Sequence, residues 1–407
     1  MTARLLHVWL RDEAGAVHPL GQIAVTEPRP PGGARSGAFR YAVDYLADPV
    51  IGPVDPLHLP LRSGEFRAED PHTGLHGVFI DSLPDAWGRA VMVRRYRLAR
   101  AEQGDIDLLA RLGGHGMGAL AYTRTPEPPE LDGDEVPPLM SLDQLLDAAD
   151  RYQAQPERID EAIRLLFAAG SSPGGARPKA LVQDAGRPLL AKFPSRRDAL
   201  DIVGLEAASL AVAREAGIPV PAFRVVGIAD RKVLLLERFD VTPAGGRRHM
   251  LSLKSLLDAR GYYQAGYRDV IQVVARVSSA PKEDLEQLFR QIVLNACLAN
   301  TDDHLKNFAM QWRDGGWRLT PAFDILPDVN DNREHVLHFG SAGHRPTPDA
   351  LRDLGRLCGL GPRRVSEVMA QIEDKVRSYS SCCEAYGVPE ADAAFVLARM
   401  PLMRDVQ

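Results

Sequence analysis

Apolar and polar positions change their period along the chain, and the changes divide it. Early on, the alternation is mostly two-residue. Residues 5–10 and 21–25 read as short strands joined by a polar turn, and Phe39-Arg40-Tyr41-Ala42-Val43 as another alternating segment. Leu57-His58-Leu59-Pro60-Leu61 is apolar and extended, with its proline marking an edge or exit. Val78-Phe79-Ile80 leads into Asp81-Ser82-Leu83-Pro84-Asp85, where a serine or aspartate caps a helix expected over 87–100. A shorter helix over 106–112 is broken by Gly113-Gly114-His115-Gly116, and 119–122 returns as a strand. Residues 1–125 are therefore expected to form an α+β domain with a largely N-terminal sheet.

Residues 126–139 carry prolines and acids (Pro126, Pro128, Pro129, Glu130, Asp132, Asp134, Glu135) with too little apolar content to pack, which reads as a linker. Ser141 caps a helix bearing Leu142, Leu145 and Leu146, and a second helix is expected over 157–169. A glycine-rich loop follows, then strands over 180–183 and 189–193 around Asp184-Ala185-Gly186-Arg187. A helix over 199–216 carries Glu206 and is closed by Gly217. Strands over 223–227 and 233–236 lead to Glu237-Arg238-Phe239-Asp240, which ends a region spanning 140–240. From 241 to 407 the period is mostly helical, clearest over 285–298. Strands over 308–312 and 317–320 flank Arg313-Asp314-Gly315-Gly316, and helices are expected over 348–360, 362–379 and 391–400.

Bulk composition narrows the class. A chain of 407 residues exceeds one compact core, and 45% hydrophobic with 25% charged residues is ordinary for a globular protein. A net charge of −5 argues against extensive direct binding to nucleic acid. The four cysteines, Cys297, Cys358, Cys382 and Cys383, have no metal-ligand spacing, and reduced thiols in a cytosol are the simplest reading. No apolar run approaches membrane-spanning length, so a soluble, cytoplasmic protein is expected.

One polar stretch, Asn300-Thr301-Asp302-Asp303-His304-Leu305-Lys306-Asn307-Phe308, lies between an apolar helix and an apolar strand. An Asp can accept a proton from a substrate hydroxyl, and an Asn five residues on can hold Mg²⁺ against nucleotide phosphates. Alone the spacing is weak, because both are common capping residues. The surrounding order supplies the rest: Gly174 and Gly175 in the loop, Lys192 on a strand, Glu206 on the next helix, a connector at Glu237-Arg238-Phe239, then Asp302, Asn307 and Asp324 after the hairpin. Glycine lets backbone N–H groups approach phosphates, and a lysine held by a glutamate neutralises the α- and β-phosphates. Lys192 and Glu206 alone read equally well as a snorkelling edge lysine and a solvated acid. Asp302, Asp303 and His304 could suggest a metal cluster, but neighbours on one loop rarely converge on one ion.

Ser172-Pro173-Gly174-Gly175-Ala176-Arg177-Pro178-Lys179, Ala191-Lys192-Phe193-Pro194, the connector, the Asp302 loop and Leu319-Thr320-Pro321-Ala322-Phe323-Asp324 together resemble HipA toxins, serine/threonine kinases of type II toxin–antitoxin systems. Leu83-Pro84-Asp85-Ala86-Trp87-Gly88-Arg89 and Asp107-Leu108-Leu109-Ala110-Arg111-Leu112-Gly113-Gly114 resemble that family's N-terminal subdomain. The resemblance implies an α+β, two-lobed, protein-kinase-like fold with a β-rich N-terminal subdomain and a mostly helical C-terminal lobe. It implies that Asp302 is catalytic and that Asn307 and Asp324 hold Mg²⁺. Gly174, Gly175, Ala176, Arg177, Pro178, Lys179, Lys192, Glu237, Arg238, Phe239, His304, Leu305, Lys306, Asn307, Phe323 and Asp324 would line the ATP site. Ser172, or Ser171 beside it, would be autophosphorylated to silence the kinase.

The implied partners are a HipB-like helix-turn-helix antitoxin, operator DNA reached mainly through it, and a protein substrate such as an aminoacyl-tRNA synthetase, chiefly glutamyl-tRNA synthetase. Phosphorylation there would drive growth arrest and persistence. The chain lacks the G-x-G-x-x-G, the Arg before the catalytic Asp and the Gly after the metal Asp of ordinary protein kinases. Two other readings compete: a small-molecule kinase of aminoglycoside-phosphotransferase type, and an inert kinase-fold co-repressor. The N-terminal motifs weigh against the first, and intact Lys192, Asp302, Asn307 and Asp324 against the second.

Overall fold

A computed structural model describes residues 3–26, 33–129, 141–154, 177–261 and 263–401. Two compact units emerge: Met1–Ala191 with Arg238–Leu251 and Gln311–Gly315, and Lys192–Glu237 with Ser252–Met310 and Gly316–Gln407. The expected helix over 157–169 lies outside the described residues, as does most of the glycine-rich loop.

The first unit is built on an antiparallel sheet of β1 (Ala3–Arg11), β2 (Val17–Thr26), β3 (Ser36–Tyr41), β4 (Phe66–Arg67) and β5 (Leu120–Thr123), in the order β4-β3-β2-β1-β5. Two-residue alternation places Leu6, Val8 and Leu10 of β1 on the core face, each at most 1% exposed. Burying one such side chain stabilises by roughly 1.5–3 kcal/mol. The register shifts between Val8 and Trp9, and the Trp9 indole donates to Thr123 Oγ1 at 2.7 Å, tying β1 to β5. The expected strand over 39–43 stops at Tyr41, and Val43–Ala47 turns into a short helix.

Several helices add to the described core of this unit; among them Leu142–Ala154, as expected, buries Leu142, Leu145 and Leu146. Ala86–Arg95 begins where the Asp85 carboxylate accepts from Gly88 N at 2.8 Å, an N-cap after Pro84. It ends short of residue 100 because Arg97 takes a left-handed φ of 50°. Asp105–Leu112 buries Ile106, Leu108, Leu109 and Leu112 and stops at Gly113, whose φ is +58°. β6 (Lys179–Asp184) and β7 (Arg187–Lys192) flank the Ala185-Gly186 turn, both of whose residues are left-handed (φ 48° and 78°) as a type I′ turn requires.

The second unit is mainly helical, with the antiparallel pair β8 (Phe223–Ile228) and β9 (Arg231–Glu237). Ile202–Glu215 is buried on nearly all sides. It starts later than expected because the Asp201 side chain caps it by accepting from Gly204 N, and Gly217 (φ +75°) follows its end as expected. Pro281–Leu298 extends further towards the N-terminus than apolar spacing suggests. Its first turn is polar, yet Asp284 is buried there, accepting from Ser278, Arg318 and Leu319 N. Pro348–Leu357, Pro362–Arg377, Tyr379–Ala385 and Glu390–Leu397 follow, the single helix expected over 362–379 being interrupted at Ser378. The fold is α+β. Among the described residues no helix is long and apolar enough to cross a membrane.

Candidate active site

The helix Pro281–Leu298 ends at Ala299 in a left-handed conformation (φ 52°), which releases the chain into the polar loop. Exposure then alternates: Thr301, Asp303 and Leu305 are buried while Asp302 faces out. Asp303 is clamped. Its Oδ2 accepts from the Tyr267 hydroxyl at 2.5 Å and faces His335 Nδ1 at 2.9 Å. Its Oδ1 accepts from the backbone N–H groups of Val336 (2.8 Å) and Leu337 (3.3 Å). Behind it, Asn295 donates to the Tyr267 oxygen at 3.2 Å and Asn300 donates to Asn295 at 3.0 Å. Burial and the Asp303 charge push the Tyr267 hydroxyl well above its ordinary pKa, so it remains a donor.

Asp302 differs in every respect. Its side chain is 80% exposed, and His304 Nε2 lies 3.7 Å from Oδ1. Its pKa is raised by desolvation and by the charges of Asp324 and Asp303, against the opposing pull of His304. Asn307 closes the turn Leu305–Asn307 and donates its amide N–H to the Asp302 carbonyl at 2.9 Å. That bond occupies the NH₂ end and leaves the Asn307 carbonyl oxygen as a hard ligand.

The chain reaches Asp324 through strands Ala309–Arg313 and Gly316–Leu319, whose Asp314-Gly315 turn is left-handed at both residues. Thr320 N donates to Ala309 O and Ala322 N to Pro219 O at 2.7 Å, which pins the following segment. Asp324 adopts φ 53°, a conformation Asp tolerates better than most residues and one that often marks functional positions. Lys192 Nζ bonds Glu206 Oε1 at 2.5 Å and also Asp324 Oδ1. Burial alone would depress the ammonium pKa, but Asp324 and Glu206 more than offset it, so Lys192 is held charged. The helix glutamate expected beside Lys192 is there, together with a second carboxylate.

Other anticipated site residues have structural partners. Lys179 Nζ pairs with Asp85 Oδ2 at 2.8 Å, both side chains under a tenth exposed. Arg238 donates through Nε and Nη2 to both oxygens of Asp240, at 2.9 and 2.5 Å, and reaches Gly116 O at 3.3 Å. Gly118 N donates to the same Asp240 at 2.8 Å, so Arg238 and Asp240 are tied to Gly116 and Gly118. Asp240 is held below the ordinary carboxylate range: burial opposes ionisation, and Arg238 chiefly restores it. Glu237 donates its backbone N–H to Ala222 O, and the Phe239 carbonyl accepts from Arg248. Arg177, Phe323 and Lys306 are partly exposed, and Pro178 and Leu305 are buried. Ser172, Gly174, Gly175 and Ala176 lie outside the described residues.

Sequence reasoning missed Asp303, Tyr267, His335 and Asn295 as the frame of the loop. One signal was available: Asn295 is a polar residue inside Ile292-Val293-Leu294-Asn295-Ala296-Cys297-Leu298, and a buried amide in an apolar helix demands a partner.

Comparison with known proteins accounts for most of the chain. The family model described as HipA-like C-terminal domain matches residues 171–379, more than half of the chain, and that described as HipA N-terminal domain matches 7–123. A Sinorhizobium fredii protein named as a kinase, Y4mE, is 26% identical over 369 residues, covering 81% of this chain and 78% of its own. The toxin YjjJ of Escherichia coli is 28% identical over 177 residues, 39% of each chain. Among solved structures, HipA of Shewanella oneidensis, in complex with HipB and its operator DNA, superposes with a TM-score of 0.67 at 15% identity. That match covers 96% of this chain and 94% of the other.

Proposed function

The chain belongs to the HipA family of kinase-like toxins, and on that premise we propose that it transfers the γ-phosphoryl group of ATP to a serine or threonine hydroxyl of a protein. The observation that carries the reading is Lys192 bonded to both Glu206 and Asp324, in the unit that also presents Asp302 and Asn307. Two hard oxygen groups are on hand, the Asn307 carbonyl and the Asp324 carboxylate, and they would suit Mg²⁺. Bound there, Mg²⁺–ATP supplies the electrophilic phosphorus and neutralises charge on the leaving group.

The chain's own residues do the rest. Lys192 stays protonated and orients the phosphates. Asp302, exposed and ionised, accepts the proton of the incoming hydroxyl as its oxygen bonds to Pγ and the bond from Pγ to the β-phosphate oxygen breaks. Asp303 holds the loop so that Asp302 points outward. As a cytoplasmic toxin the protein would act with a helix-turn-helix antitoxin that carries it to operator DNA. Its target would be a translation protein such as an aminoacyl-tRNA synthetase, and Ser172 would be the autophosphorylated residue.

Purified protein with Mg²⁺ and γ-labelled ATP should label itself, with mass spectrometry assigning the phosphate to Ser172. Asp302→Ala should lower transfer by roughly 10²–10⁴, and unchanged transfer in that variant would sink the assignment. Because the Asp302 carboxylate is exposed, the variant's stability to unfolding should stay within about 0.5 kcal/mol of the parent.

A further inference from the structure

A small cavity of about 50 Å³ adjoins the catalytic loop within the second unit. It is lined by His304, Lys306, Lys254 and Arg260 together with the apolar Val336 and Leu337. Among the described residues no carboxylate lines it, and three of its residues are fixed cations. Local charge therefore runs against a chain whose net charge is −5. Lys254, on the short helix Leu253–Leu256, has no ion-pair partner among the described residues. Arg260 reaches Asp258 at 3.2 Å, but both side chains are about half exposed, so that pair is weak and readily exchanged.

Of the residues expected at the ATP site, His304, Leu305 and Lys306 line this cavity. Lys192, Glu206, Asn307, Phe323 and Asp324 do not line it. His304 does, and His304 Nε2 is also 3.7 Å from the Asp302 carboxylate, so the cavity borders the group that receives the acceptor hydroxyl's proton. Val336 and Leu337 reach it from the same backbone that clamps Asp303. A volume near 50 Å³ has room for a few waters or one small anionic group.

We propose that this cavity is a specificity subsite that accepts an acidic side chain of the protein substrate, close to the phosphoacceptor residue. The proposal rests on the kinase reading above. An Asp or Glu carboxylate meets the cations of Lys254, Arg260 and Lys306, while its short aliphatic stem lies on Val336 and Leu337. A nucleic-acid strand is the poorer fit, because its phosphates recur along a track whereas these cations share one small cavity.

The test uses the full chain and fluorescent twelve-residue peptides with one central serine flanked by two Glu, two Gln or two Lys. Transfer gives kcat/KM, and anisotropy gives binding without catalysis. The Glu peptide should exceed the Gln peptide at least tenfold in kcat/KM. Lys254→Glu with Arg260→Glu should reverse the ranking in favour of the Lys peptide while KM for ATP stays unchanged. Should that pair fold poorly, Lys254→Gln alone should cost the Glu peptide about threefold, on the scale of one exposed ion pair. Equal values for the three peptides would overturn the subsite, as would a single-stranded RNA that displaces the Glu peptide at lower concentration than unlabelled Glu peptide does. Glu-selective binding with no transfer to any peptide would support the subsite and reject the kinase reading. Transfer without Glu preference would do the reverse.

Discussion

Lys179 opens strand β6 and Lys192 closes strand β7, and each belongs to a different unit of the molecule. Both ammonium groups are largely buried on carboxylates, but the balance of charge differs. Lys179 meets Asp85, whose other oxygen caps the helix Ala86–Arg95, so one cation faces one anion. Lys192 meets Glu206 and Asp324 together, leaving one negative charge in excess. A neutral buried pair is a finished piece of structure. An excess charge in a largely buried place is costly until a further cation arrives, whereas the Lys179 pair is already neutral.

The comparison can be broken most forcefully at Lys179. Lys179→Ala strands the Asp85 carboxylate and should cost about 3–5 kcal/mol in urea unfolding. Lys179→Met combined with Asp85→Asn removes both charges, keeps a capping side chain and should recover most of that loss. If Lys179→Ala instead leaves stability intact and abolishes nucleotide binding, Lys179 belongs to the ATP site and the contrast fails.

A pH titration sharpens the structural half. His249 is buried in the first unit with Nε2 against Val54 O at 2.8 Å, and burial pushes its pKa down to about 4 despite that bond and the Asp55 charge. The folded state therefore binds a proton later than the unfolded state does. The contribution is fully present above the unfolded value of about 6.5, and stability falls as pH drops from there to about 4. The loss totals roughly 3 kcal/mol, with no more from this group below that. His249→Gln should remove that part of the pH dependence, and an unchanged slope would refute the assignment.

The functional half has the smallest expected effect. Mg²⁺ with a non-hydrolysable ATP analogue at a hundredfold excess over Kd should stabilise the protein by about 2.7 kcal/mol. Asp324→Asn should abolish the gain and leave the unliganded protein close to its original stability, because the substitution removes the surplus charge. A gain that survives in Asp324→Asn would remove Asp324 from the metal site.

Much of this was legible along the chain. Local rules located the Asp314-Gly315 turn, Gly217 after its helix and the hydrophobic face of β1, because φ preferences and side-chain period act over a few residues. The pairing of Lys192 with Glu206 also followed from the order of parts. The extra partner Asp324 did not, nor did the Asp85 that holds Lys179, since both come from distant stretches of chain. Helix ends shifted for a similar reason: the polar first turn of Pro281–Leu298 is helical because Asp284 finds buried donors in residues 278, 318 and 319.

The sequence by itself determined which chemical groups are available and in what order: a strand lysine, a helix glutamate, the Asp302 and Asn307 loop and Asp324 after a hairpin. Only the tertiary structure decided between chemically identical neighbours. Asp302 faces water while Asp303 is clamped by Tyr267, His335 and two backbone amides, and nothing in the pair of letters distinguishes them. Hydration and hydrogen-bond partners set what a carboxylate can do, and both depend on atoms that the fold brings in from elsewhere.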